Sequence, residues 1–152
     1  MRIKAYHILA IICVISYLIT PDGSDSPFTY HFLHANVFHL IANILALLAF
    51  KPRVPTIIIA LLVASFAYLI DFHFFHAHTI GLSAALMAMY ARKYIAWKKS
   101  PLPTIYAIFI LGLLPHINWH IHLLSFLLGL VVWHIYYKIK HSVDGNNGRG
   151  HN

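Results

Sequence analysis

The chain has 152 residues, 60% of them hydrophobic and 10% charged, and its mean hydropathy of +0.71 lies outside the range of a soluble globular domain. Glutamate is absent and only four aspartates occur, Asp22, Asp25, Asp71 and Asp144, so paired-carboxylate glycosidase chemistry and two-metal carboxylate sites lack their ligands. The formal charge of +7 is spread between apolar runs, with no aromatic-interleaved basic patch of the kind that binds nucleic acid, and so reports on membrane topology.

A membrane-spanning helix needs roughly 20 apolar residues, fewer in a small bundle. Six segments meet this approximately: Ile3 to Ile19, Asn36 to Phe50, Val54 to Ile70, Thr79 to Trp97, Leu102 to Leu114 and Trp119 to Tyr137. The breaks between them carry proline, charge or both, as helix stops do. The first segment, opened by Arg2 and Lys4, has the basic start and apolar middle of a signal peptide. It is long enough to span, however, and no small-residue cleavage pattern follows. Residues 141–152 are polar and glycine-rich and are expected to form a disordered cytoplasmic tail behind a membrane domain of residues 1–140. The lone cysteine, Cys13, excludes an internal disulfide.

The predicted class is therefore all-α, a polytopic six-helix membrane bundle. All eleven lysines and arginines fall at one side of the six segments, while Asp22, Asp25 and Asp71 occupy outer loops. The positive-inside rule then places both termini inside.

That topology assigns a depth to each polar residue. His39 and Asn43 lie in the first turns of the second segment, with His34 just before them, and His122 lies in the first turn of the sixth. Ser83 sits about four residues, or roughly 6 Å, below the outer start of the fourth. His39 and Asn43, four apart, project from one face and can donate toward a common point. Gly81, Ala84, Ala85 and Ala88 form one small-residue face, and His122, Ser125 and Gly129 another, so the fourth and sixth helices can approach closely. That is the geometry a serine hydroxyl needs to reach an imidazole base.

In these features the chain resembles the rhomboid intramembrane serine proteases. The resemblance rests on His34-x4-His39-x3-Asn43 in the second helix, Gly81-x-Ser83 in the fourth and His122 opening the small-residue face of the sixth, and it spans the six-helix core. It implies Ser83 as nucleophile and His122 as general base. It also implies an oxyanion site made by the Ser83 backbone N–H with the side chains of His39 and Asn43, and His34 in support above the site. The absence of an acid from every predicted span agrees with a dyad in place of a triad. Ala84 and Ser125 stand where relatives often have glycine. Met87 replaces an aromatic residue that stacks on the histidine in many of them, so the ring is expected to be less firmly oriented. The first outer loop is short and lacks the Trp-Arg pair of the longer family loop.

The implied activity is endopeptidase cleavage of a substrate's transmembrane helix near the outer face of a cell membrane, of bacterial type by size and architecture. The implied partners are a membrane-protein substrate and the bilayer, with no metal or organic cofactor. Two alternatives stay open: a catalytically inactive relative that binds transmembrane helices, and a histidine-rich metal-binding or transport protein using His73, His76 and His78. The usual His-Glu-x-x-His zinc site is unavailable without glutamate.

Overall fold

In the computed structural model, residues 3–19, 26, 28–75, 81–98, 100–112 and 118–147 are described. They form six α-helices and one short 3-10 turn, with no strand among them: α1 (Ala5–Ile19), the turn Tyr30–Phe32, α2 (Val37–Phe50), α3 (Val54–Phe75), α4 (Ser83–Trp97), α5 (Leu102–Gly112) and α6 (Trp119–Asn147). The fold is thus all-α. Two helices, α3 and α6, are long and apolar enough to cross a membrane; α1 and α2 are apolar but shorter.

Local chemistry sets most of the boundaries. Asn36 is the N-cap of α2, its side chain accepting the His39 backbone N–H at 2.9 Å, one of the four donors a helix start leaves unused. Lys51 ends α2 in the left-handed conformation at φ 47°, and Pro52 follows. Pro55 and Pro103 fall in the first turns of α3 and α5, where a missing N–H costs nothing.

Three boundaries differ from the sequence expectation. Helix α3 continues past Ile70 to Phe75, because Asp71-Phe72-His73-Phe74-Phe75 contains no breaker. Helix α4 begins at Ser83, so the serine is its first residue instead of lying a turn below the start. Helix α6 runs on through His141–Asn147, part of the tail expected to be disordered, since nothing before Gly145 interrupts its backbone ladder; residues 148–152 lie outside the described residues.

The core of the bundle is where α3, α4 and α6 meet. Ala84, Ala85, Ala88 and Ala91 of α4 are fully buried, as is Ser125 of α6. A Cβ added to Gly129 would stand 2.9 Å from the Ala91 Cβ and 3.0 Å from the Ala88 Cα, so glycine is what lets the two backbones approach. Trp133 locks the seam by donating its indole N–H to the Ala88 carbonyl at 2.9 Å. The outward faces are apolar instead of polar: Ile58, Leu62, Phe66 and Leu69 line one exposed flank of α3, and Val131 and Ile135 are exposed on α6.

Candidate active site

The close α4–α6 seam carries Ser83 and His122 to the same end of the bundle. Ser83 Oγ lies 2.8 Å from His122 Nε2, and His122 Nδ1 lies 2.7 Å from the backbone carbonyl of Asn118, one helical turn earlier. A carbonyl can only accept, so Nδ1 carries the proton of the neutral ring. Nε2 is then bare and accepts from the serine hydroxyl. This is the tautomer a general base toward Ser83 requires.

Met87 packs in a cluster around Ala91, Ile108, Phe126 and Trp133, and it is the Asn118 carbonyl that fixes the imidazole. Asn118 is itself held from α3: its Nδ2 donates to Asp71 Oδ2 at 2.8 Å. Asp71 is fully buried. The expectation that no acid lies within a helix of the bundle is therefore corrected. Asp71 belongs to α3 and not to an outer loop, and it is hydrogen-bonded to Asn118. The absence of proline and glycine between Ile70 and Phe75 was the sequence signal for this placement.

On the other flank of Ser83, Gly81 has φ +119°, a conformation side-chain-bearing residues rarely adopt. A Cβ there would fall 2.5 Å from His39 Cε1, 3.0 Å from His39 Nε2 and 3.4 Å from Asn43 Nδ2. The absent side chain is what lets His39 and Asn43 sit against the entry to α4. Asn43 is buried, and its Nδ2 has no hydrogen-bond partner among the described residues. An unpaired buried donor costs about 1–3 kcal/mol, an expense understandable where an acceptor arrives during function. Ser83, as the first residue of α4, adds a backbone N–H that the helix itself does not use.

A tied-down layer supports these groups. Gly81 donates its N–H to the Tyr30 carbonyl at 2.8 Å, Tyr30 donates its hydroxyl to the Ala64 carbonyl at 2.9 Å, and His31 Nε2 meets Ser65 Oγ at 3.0 Å. Tyr30 stacks on Tyr68 with ring centroids 4.6 Å apart. His34 donates from Nδ1 to the Phe32 carbonyl at 3.2 Å and meets the His39 ring edge-on at 5.3 Å. Burial pushes His31 down to a pKa of about 3. Burial, aided by His39 and opposed by the Phe32 carbonyl, pushes His34 down to about 4. Both rings are neutral at physiological pH. Sequence inspection assigned Tyr30 and His31 no part in this layer, since their partners lie 34 residues away.

No family model and no curated protein matches the chain.

Among the described residues no three His, Cys, Asp or Glu side chains stand together as a metal-ligand set. His73 is exposed and meets Phe74 edge-on at 5.1 Å, while His120 stacks on Phe75 at 4.3 Å. His76 and His78 lie outside the described residues.

Proposed function

We propose that this chain is a rhomboid-type intramembrane serine endopeptidase, a six-helix bundle with both termini inside that cuts the transmembrane helix of a membrane-protein substrate near the outer face. The observation that carries this reading is the Ser83–His122 hydrogen bond with the Nδ1 proton committed to the Asn118 carbonyl. The apolar flanks of α3 and α6 support a lipid environment, because exposed patches of that extent are unfavourable in water. The segregation of basic residues supports the orientation.

In this reading Ser83 Oγ attacks the scissile carbonyl carbon as its proton passes to His122 Nε2. The carbonyl oxygen becomes an oxyanion held by the Ser83 N–H and the side chains of His39 and Asn43, donors typically worth a few kcal/mol each in the transition state. Collapse breaks the C–N bond, and the imidazolium returns its proton to the departing amine. Water, deprotonated by His122, then attacks the acyl-serine ester and releases the new carboxylate and free Ser83. Asp71 takes no proton; it holds Asn118, whose carbonyl holds the ring.

Labelling of the detergent-solubilised protein with a fluorophosphonate tests the assignment. Wild type should label, and Ser83→Ala and His122→Ala should not. Labelling that persists in Ser83→Ala removes Ser83 as the nucleophile. A folded wild type that neither labels nor cleaves a reporter transmembrane helix points instead to an inactive helix-binding protein.

A further inference from the structure

At the opposite end of the bundle lies a second concave feature. It is a cavity of about 350 Å³ lined by residues of α2, α3, α4, α6 and the α2–α3 connection. Four cationic side chains converge on it, Lys51, Arg53, Arg92 and Lys93, and no carboxylate lines it. Arg92 lies nine residues beyond Ser83, about 14 Å along α4, so the cavity is separate from the serine–histidine pair.

The cations are held by neutral groups. Arg92 Nε donates to the Tyr137 hydroxyl at 3.1 Å, and its guanidinium lies 5.6 Å from the Trp133 ring centre. Lys93 Nζ sits 4.4 Å over Phe50 and 5.6 Å from Trp97. Tyr137 is the sole hydrogen-bond partner of Arg92 among the described residues.

Membrane topology explains why these residues lie at this end, but not why they converge on one cavity. Helix dipoles explain them only in part. Lys51 caps the C-terminus of α2, where a cation is favoured, whereas Arg53 immediately precedes α3, where the positive end of the dipole repels it. An anion seated among the four charges relieves that repulsion. Apart from Thr56, the rest of the lining, including Phe50, Pro52, Met89 and the exposed Trp97, is apolar or aromatic. A phosphate with hydrocarbon behind it matches both halves of the cavity.

We infer that this cavity is a binding site for a phosphate group carried by an anionic glycerophospholipid of the inner leaflet, gripped by Arg92, Lys93, Lys51 and Arg53. The inference rests on the membrane orientation proposed above and not on the serine chemistry.

Native mass spectrometry of the full chain in non-ionic detergent, titrated with phosphatidylglycerol, phosphatidylcholine and soluble glycerol phosphate, tests it. Phosphatidylglycerol should bind at least tenfold more tightly than phosphatidylcholine. Arg92→Gln with Lys93→Gln should weaken it at least tenfold. So should Lys51→Asn with Arg53→Gln, a pair on the exposed connection that spares the core. Lys138→Gln with Lys140→Gln, at the same end but outside the cavity, should leave binding unchanged. Wild-type affinity in both cavity variants, or equal losses in the Lys138/Lys140 control, overturns the site. Displacement of the lipid by equimolar glycerol phosphate overturns the lipid as the source of the phosphate.

Discussion

The His122 ring is oriented by the Asn118 backbone carbonyl, which accepts the Nδ1 proton at 2.7 Å and leaves Nε2 free to accept from Ser83. In a three-residue arrangement a carboxylate does this work. Here the backbone carbonyl of Asn118, the residue before α6, supplies it, and Asp71, the acid nearby among the described residues, acts one bond further back on the Asn118 side chain.

That arrangement separates hydrogen-bond positioning from charge. Asp71→Asn keeps an acceptor for the Asn118 amide and should label within a few-fold of wild type. Asp71→Ala and Asn118→Ala each remove the bond and should slow labelling about tenfold or more, with a loss of about 1–3 kcal/mol in stability. Comparing labelling rates with melting temperatures of the four proteins checks this. If Asp71→Asn is as slow as Asp71→Ala, the carboxylate's charge is what matters.

Asn43 is expected to trade stability for rate. Asn43→Leu removes a buried, unpartnered donor and should leave the melting temperature unchanged or raise it. If Asn43 serves the oxyanion, cleavage of a reporter helix should fall by about 10²–10³. A variant that is both stable and fully active would exclude that role.

Gly81 is expected to be intolerant for two reasons at once. Gly81→Ala forces a side chain onto φ +119° and places its Cβ 2.5 Å from the His39 ring. The combined strain should destabilise by about 1–3 kcal/mol and displace His39, lowering cleavage by more than the stability loss explains. Gly81→Asn, which tolerates positive φ better, should not restore activity, because its Cβ meets the same ring.

The layer around Tyr30, His31 and His34 should be acid-sensitive. His31 and His34 have folded pKa values of about 3 and about 4 against an ordinary 6.5, so the unfolded chain binds more protons between those limits. Stability is then fully present above pH 6.5 and is lost as the pH falls toward 4. The melting temperature should be flat from pH 7 to 8 and decline below 6.5, with a shallower decline in His31→Gln/His34→Gln. An acid decline as steep in that variant would place the sensitivity elsewhere.

The sequence by itself determined the class and the cast. An apolar composition with breakers at intervals leaves helices as the economical way to satisfy the backbone, and the regular elements among the described residues are all helices. The small-residue faces of α4 and α6 were legible because helical spacing puts Gly129 and Ala88 on facing sides, and there they meet. Ser83, His122, His39, Asn43 and Gly81 could be chosen because the charge pattern set them at one depth and their spacing matched the rhomboid-like motifs. Only the tertiary structure decided what stands behind the residue that holds the imidazole. Met87 packs in the Phe126 and Trp133 cluster, while Asp71, one bond behind Asn118, rides into the core on an α3 longer than its hydropathy suggested. Periodicity reports which face of a helix is apolar. It carries no information on which side chain 47 residues away Asp71 will meet, because that is fixed by helix length and packing distance together.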